Sequence, residues 1–173
     1  MMKSPVVLAV AALLLSSPVA LAAPVRTAVF GFELFDDTLD DRADVRAEQA
    51  QRLKLANDEL DRLLAASDQL AAVDLAPQEA RIEELSPLFK CNACELDVAR
   101  DAGAELEVVG VIRKISNLIL SFSLVVRETG GDGRVVRAGQ VDIRGNTDES
   151  WLRGVRYLVK NRILAPHLPP LAP

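Results

Sequence analysis

The sequence has few of the residues on which most catalytic and metal sites depend. Its 173 residues include one histidine, two cysteines and one tryptophan, and aromatic residues make up 4%. The histidine, His167, lies among prolines near the end of the chain, outside the region that should pack. A nucleophile elbow, a Walker phosphate loop and a dinucleotide fingerprint are also missing, which argues against hydrolase and transferase chemistry. We therefore predict a protein that is not an enzyme, with no cofactor and no catalytic residue.

Positive charge and long apolar runs are scarce as well. The formal net charge is −5, which disfavours nucleic acid as a partner because its binding needs clustered Lys and Arg. The acid-rich run 36–44 is interpreted as a solvated loop near a helix start, with a cation site as the alternative. It lacks the glycine and final glutamate of an EF-hand calcium loop, which excludes that kind of site. No apolar run approaches the roughly 20 residues that a transmembrane helix needs.

The first 22 residues have the composition of a secretory signal peptide. Lys3 precedes an apolar run over 6–15, and the small residues Ala20 and Ala22 form the expected cleavage site. No cysteine follows that site, so we expect no lipid anchor. The mature protein is predicted to be periplasmic, or secreted where the host has no outer membrane.

Residues 23–165 are predicted to form one α/β (α+β) domain, followed by a proline-rich tail over 166–173. Apolar periodicity and turn residues predict the order β-α-β-α-α-β-β-β-α. Such an order is satisfied most simply by a single mixed sheet with the helices mostly packed on one face. Strands are expected over 27–35, 69–75, 104–116, 117–129 and 134–145, and helices over 43–66, between Pro77 and Pro87, over 91–102, and from Asn146 or Thr147 onward.

Alternation within the predicted strands and helices also predicts which side chains are buried. The first strand should place Ala28, Phe30, Phe32 and Leu34 on one face. Each of the last three strands should bury residues that share one face, and the last helix should bury a stripe at helical spacing. These sets are Leu106, Val108, Gly110 and Ile112; Leu118, Leu120, Phe122, Leu124 and Val126; Val135, Val141 and Ile143; and Trp151, Val155, Leu158, Val159 and Ile163.

The motif CNACE, residues 91–95, allows several interpretations. Covalent haem attachment is excluded because Glu95 stands where a histidine is needed. Zinc would need four ligands, and the chain offers few. Cys91 and Cys94 are three residues apart, a spacing that on a helix gives the separation of about 5–6 Å that a disulfide requires. A structural disulfide is favoured in an oxidising compartment, while thiol–disulfide redox chemistry and metal binding stay open.

Two polar clusters surround the last helix. Arg144, Asn146 and Asp148 stand beside its N-terminus, where an anionic ligand or partner could bind, although a helix cap with a core tryptophan behind it explains the same residues. Arg153, Arg156 and Lys160 form a basic stripe at helical spacing. That stripe is either a solvated face or a docking surface for an anionic partner.

The spans CNACELDVARDAGAELEVVGVIRKISNLIL and VDIRGNTDESWLRGVRYLVKNRIL carry a resemblance that covers residues 28–164. The chain resembles a family of small exported Gram-negative bacterial proteins known only as a domain of unknown function. More remotely it is similar to the amino-terminal domain of TolB, to the periplasmic domain of the curli secretion channel, and to lipoprotein activators of penicillin-binding proteins. These resemblances imply an interaction module rather than an enzyme, and they transfer no catalytic residue.

Together these features favour an exported, non-catalytic binding or interaction module, accessory to an envelope protein or complex, with a small ligand as the other possible partner. The candidate surfaces are the sheet around Ser121 and Ser123 and the basic stripe. The alternative is a thiol–disulfide redox accessory acting through Cys91 and Cys94.

Overall fold

The structure, a computed structural model, describes residues 23–171, so the predicted signal peptide lies outside the described residues. These residues form one five-stranded mixed sheet with four α-helices, which confirms the predicted fold class and element order. The elements are β1 (Val25–Asp36), α1 (Ala43–Ala65), β2 (Leu70–Ala72), α2 (Glu79–Leu85), α3 (Glu95–Asp101), β3 (Leu106–Lys114), β4 (Ile119–Glu128), β5 (Val135–Arg144) and α4 (Asp148–Leu158), which continues as a π-helical turn over Val159–Ile163.

The strands lie side by side in the order β2-β1-β3-β4-β5. β1 pairs in parallel with both β2 and β3, while β3, β4 and β5 form antiparallel neighbours. β2 is shorter than the predicted strand over 69–75. The carboxylate of Asp74 accepts a hydrogen bond from the N–H of Ala76 and turns the chain into a 3-10 segment that contains Pro77.

One face of the sheet is closed by α1 and α4, which pack on it side by side. Trp151 of α4 meets Phe122 of β4 edge to face, and Phe122 meets Phe32 of β1 in the same way. Gly110 leaves the space that the Phe32 ring occupies, because a Cβ there would lie 2.5 Å from it. The predicted buried stripe of the last helix is confirmed, since all five of its members are 0% exposed: Trp151, Val155, Leu158, Val159 and Ile163.

Thr147 is the residue that caps α4. Its side chain accepts from the N–H of Ser150, whose hydroxyl in turn accepts from the N–H of Thr147, forming a capping box. The reciprocal bonds satisfy donors that a helix start otherwise leaves without partners. Asn146, the other predicted cap, instead accepts a hydrogen bond from the indole N–H of Trp151.

The prediction that Ala28, Phe30, Phe32 and Leu34 share one face is wrong. β1 carries a bulge, seen as a register shift between Val29 and Gly31, where Gly31 has a φ of +81°. One extra residue reverses the alternation, so Phe32 and Leu34 join the main core while Ala28 and Phe30 join a small cluster on the opposite face. Asn57 of α1 completes the bulge by accepting from the N–H of Phe32 and donating to its carbonyl.

The grouping of Val135 with Val141 and Ile143 is also wrong. A register irregularity next to Val126 adds one residue to β5, so Val136 packs against the core and Val135 is 51% exposed. The faces predicted for β3 and for the body of β4 are confirmed, although Leu118 lies in the turn and is exposed.

The third helix starts later than the predicted residue 91. Asn92 and Ala93 have φ values of +54° and +71°, which no α-helix accommodates, so α3 begins at Glu95. Cys91 and Cys94 therefore flank a tight left-handed turn before the helix rather than lying on one of its faces.

The segment predicted as an irregular tail contacts the main core. Leu168 and Leu171 pack against it, and the side chain of Gln69 bonds the backbone at Leu164 and Leu168. His167 is exposed, and its carbonyl accepts from Arg137.

Candidate functional site

The face of the sheet opposite α1 and α4 is only partly covered. The small cluster around Ala28, Ala99 and Ala104 closes it near β1 and β2, while most of the side chains that β3, β4 and β5 present on this side remain half-buried or exposed. We call this uncovered area the open face. Its rows follow the strand pairing, and three of them are Val109–Val125–Ala138, Val111–Ser123–Gln140 and Arg113–Ser121–Asp142.

A groove of about 290 Å³ runs along the open face beside the segment that leads into α3. Its sheet wall consists of Val109 and Val111 from β3 and of Ser123, Val125 and Arg127 from β4. The hydroxyl of Ser123 donates to the carbonyl of Val111, so that hydroxyl proton is held by the sheet itself. Of the two serines predicted to mark a binding surface, Ser123 lines this groove, whereas Ser121 is buried outside its lining. Binding at this surface stays a prediction.

The other wall of the groove belongs to the CNACE segment and the turn before it, with the lining residues Leu88, Phe89, Asn92, Ala93 and Glu95. Two features hold this wall in place. Cys91 and Cys94 are joined by a disulfide with Cα atoms 5.4 Å apart. The carboxylate of Glu33 accepts the backbone N–H groups of Leu88 and Phe89 at 2.9 and 3.1 Å.

Three charged side chains lie together, and two of them, Glu95 and Arg127, line the groove. Nη1 of Arg127 donates to Glu95 at 2.8 Å and to Glu107 at 3.3 Å. Glu95 is 2% exposed and Glu107 is 0% exposed, whereas Arg127 retains contact with solvent. We call this set the Glu–Arg–Glu cluster. It contains two carboxylates for one guanidinium.

The other oxygen of each carboxylate, Oε2, is not bonded to Arg127. Among the described residues, Oε2 of Glu107 is buried without a hydrogen-bond partner. Burial, reinforced by the nearby charge of Glu95, raises the pKa of Glu107 to about 7. Oε2 of Glu95 lies 3.3 Å from Sγ of Cys91, and a disulfide sulfur has no proton to donate.

A second buried charge cluster occupies the closed face and is compensated. Lys114 is 0% exposed, and its Nζ donates to Asp36 at 3.0 Å and to Thr38 at 3.3 Å. Asp36 also accepts from Gln49. Although burial alone would raise its pKa, hydrogen bonds from Thr38, Lys114 and Gln49 lower the pKa of Asp36 to about 2.

Most residues predicted to bind a ligand at the start of α4 have partners within the chain. Asn146 bonds the Trp151 indole, and Asp148 accepts from Arg52 at 3.1 Å. Arg144 is exposed at the end of β5, in register with Ile119. Binding at this cluster stays a prediction.

The predicted basic stripe is interrupted by an ion pair. Arg156 donates to the buried carboxylate of Glu59 at 2.7 Å. The pKa of Glu59 is lowered to about 2 by the hydrogen bonds that it accepts, of which the bond from Arg62 contributes more than the bond from Arg156. Arg153 and Lys160 are exposed on either side. A docking role for this stripe also stays a prediction.

The sequence interpretation missed the Glu–Arg–Glu cluster. Glu107 and Arg127 lie ten positions on either side of Asn117, at the predicted turn between two strands. Strands joined by a short turn pair residues equidistant from it, so opposite charges within two apolar strands were a usable sign of a cross-strand pair. The placement of Glu95 beside them depends on the turn at Asn92 and Ala93, which no pattern indicated.

The fold and the site together define an α+β domain with one face of its sheet closed by helices and the other bearing an open groove. The chain belongs to the family DUF3280, described as "Protein of unknown function (DUF2380)", whose model matches residues 25–163. The expected membership in a family of unknown function is thereby confirmed. No protein of curated function matches the chain.

Several solved structures have a similar arrangement of elements. The LpoB C-terminal domain from Salmonella enterica is 13% identical with a TM-score of 0.45, covering 72% of this chain and 85% of that one. The PelC dodecamer from Paraburkholderia phytofirmans is 11% identical with a TM-score of 0.48, covering 80% and 88%. Lipoprotein GNA1162 from Neisseria meningitidis is 10% identical with a TM-score of 0.44, covering 72% and 84%.

The more specific resemblances to TolB and to the curli secretion channel stay predictions. In the described part of the chain, no helix is both long and apolar enough to cross a membrane.

Proposed function

We propose that this protein is an exported, non-catalytic binding module, accessory to another protein of the cell envelope, and that it binds its partner on the open face. The observation that carries the proposal is the unequal covering of the sheet. Two helices cover the main core on one face, whereas β3 and β4 leave Val109, Val111 and Val125 half-buried on the other. A sheet face that retains apolar side chains beside a shaped groove is typical of a surface that a partner covers.

The disulfide supports binding by fixing one wall of the groove. It closes the turn that contains Asn92 and Ala93, two residues in the left-handed region, which costs conformational energy. A covalent link across such a turn keeps Phe89 and Glu95 in position without a partner present. A preformed wall reduces the ordering cost of association.

The location of Glu95 also bears on the alternative of a redox accessory. A nucleophilic cysteine needs a lowered thiol pKa, which neighbouring positive charge supplies. In the reduced protein the carboxylate of Glu95, 3.3 Å from Sγ of Cys91, would act in the opposite direction and disfavour the Cys91 thiolate. We therefore expect a reduction potential below about −300 mV, the range of structural disulfides. A potential near that of working oxidoreductases would favour the redox alternative instead.

Site-specific photocrosslinking tests the binding surface. A photoreactive residue replaces Ala138 on the open face, and a matched control replaces Arg153 on the outer side of α4; both positions are exposed. In cells that export the protein, we expect crosslinked species from position 138 and none from position 153. Crosslinks from position 153 alone would move the interface to the predicted basic stripe and contradict the proposal.

A further inference from the structure

We infer that the groove on the open face receives a basic side chain, lysine or arginine, from an extended segment of the partner protein. The inference rests on the proposed function, because it names the chemistry of the partner at that surface. It depends on the charges, the walls and the size of the groove.

The charge balance of the Glu–Arg–Glu cluster favours a cation. Arg127 contacts both carboxylates through one nitrogen, so the cluster has one negative charge in excess when Glu95 and Glu107 are ionised. Buried charges are usually paired, because a charge left without a partner in the interior is strongly destabilising. Glu95 lines the groove, so a donor entering from that side supplies the missing positive charge.

The acceptor atoms fit the same conclusion. Oε2 of Glu95 lies 3.3 Å from a disulfide sulfur, which has no proton to donate, and Oε2 of Glu107 has no partner within residues 23–171. An ammonium or guanidinium group brings several N–H donors and no acceptor. A carboxylate or phosphate from the partner would compete for Arg127, which two carboxylates already share, and would add a negative charge beside Glu95.

The walls of the groove fit the stem of a long basic side chain. Val109, Val111 and Val125 line the sheet side, and Leu88 and Phe89 line the other. Lysine and arginine bury their methylene groups against apolar surface while the charged end reaches a polar partner. The charged residues Glu95 and Arg127 and the apolar wall residues, which line the same groove, match that distribution.

Size and position favour a protein segment over a free small molecule. A volume of about 290 Å³ is at the lower limit of pockets for drug-sized ligands, which range over about 300–1,000 Å³. Strand pairing also places the exposed residues Ala138 and Gln140 of β5 beside Val125 and Ser123 of the groove wall. An extended chain can cover those positions while one of its side chains fills the groove.

The first experiment uses side-chain analogues as probes of the protein that starts at residue 23. n-Butylguanidinium and n-butylammonium are each titrated into the protein, and butyrate and n-butanol are titrated separately as controls. The methyl chemical shifts of Val109, Val111 and Val125 are recorded. We expect saturable shifts for the two cations with a dissociation constant on the order of 1–10 mM, and none for butyrate. Equal responses to butyrate or butanol would overturn the inference.

Variants of the cluster provide the matched comparison. Glu95→Gln and Glu107→Gln should each weaken binding of n-butylguanidinium about tenfold, whereas Glu105→Gln, an exposed glutamate paired with Arg26, should leave it unchanged. Melting curves establish that each variant is folded. If Glu95→Gln does not fold, Glu107→Gln and the comparison of cations with butyrate decide the matter. Unchanged affinity in a folded Glu95→Gln protein would contradict the inference.

A peptide distinguishes a protein segment from a free amine. The blocked peptide Ala-Val-Lys-Val-Ala should bind more tightly than n-butylammonium, and replacing its lysine with norleucine should abolish that gain. A peptide that binds no better than n-butylammonium would assign the groove to a free amine. Crosslinking from position 138 that persists in Glu95→Gln would retain the proposed function while rejecting this inference.

Discussion

The two faces of the sheet differ in how their buried charges are paired. On the closed face, Lys114 is fully buried and donates to Asp36 and Thr38, and Asp36 also accepts from Gln49. On the open face, Glu107 at the other end of the same strand is fully buried, and Arg127 is shared between it and Glu95. Among the described residues, the buried ammonium of the closed face has a carboxylate of its own, whereas the two buried carboxylates of the open face share one guanidinium. The difference supports the proposed function, in which a partner covers the open face.

The largest effect should come from removing the central aromatic residue of the closed face. Trp151→Ala deletes a side chain that is 0% exposed and should lower the free energy of unfolding by about 3–5 kcal/mol. Arg156→Ala, on the same helix, serves as the control. Its pair with Glu59 is partly exposed, so the loss should be within about 1 kcal/mol. Urea denaturation measures both, and comparable losses would contradict this account of α4.

Breaking the charge pair of the closed face should be nearly as damaging. Asp36→Asn leaves Lys114 buried without its anionic partner, a change that costs about 3 kcal/mol or more. The double variant Asp36→Asn with Lys114→Met should recover much of that loss, because it removes the isolated charge. A single variant as stable as the wild type in urea denaturation would mean that the pair contributes nothing.

The corresponding change on the open face should have the opposite sign. The pKa of Glu107 is about 7 in the folded protein and near 4.5 in the unfolded chain. Between those values the folded state holds the proton more tightly, so stability falls as pH rises through this window. At pH 8, Glu107→Gln should therefore have a free energy of unfolding up to about 3 kcal/mol higher than that of the wild type, and it should melt at a higher temperature. At pH 4 the two proteins should be equally stable.

Melting temperatures of the wild type and Glu107→Gln across pH 4–8 provide the measurement. Glu105→Gln is the control, because its exposed carboxylate should leave the pH profile unchanged. A Glu107→Gln protein that is less stable than wild type at pH 8 would show that the cluster is compensated in the folded state.

The smallest effect on stability should come from the disulfide. The loop between Cys91 and Cys94 is so short that the chain-entropy model assigns the bond about 2 kcal/mol. Cys91→Ala with Cys94→Ala should therefore stay folded, because domains usually have about 5–15 kcal/mol of stability. The variant should nevertheless bind n-butylguanidinium more weakly, since one wall of the groove loses its restraint. Loss of the fold in circular dichroism would show that the bond supports more than this turn.

Much of the closed face could be predicted from the sequence, because uninterrupted alternation in β3 and β4 and helical spacing in α4 both reflect burial directly. The predictions failed where one residue changes the period. The bulge at Gly31 and the extra residue at Val136 reverse the side-chain direction without altering the apolar composition. The groove could not be predicted because Asn92 and Ala93 adopt left-handed angles that neither residue type requires.

The bulge in β1 makes the length of that strand matter residue by residue. Deleting one residue there would restore strict alternation and turn Phe32 and Leu34 away from the main core. Insertions and deletions are normally accommodated in loops, where no hydrogen-bond register is disturbed. In β1 an extra residue is accommodated inside a strand, because Asn57 of α1 bonds both backbone groups of Phe32. A side-chain amide thus acts as a short piece of neighbouring strand, and it allows one chain segment to serve two cores.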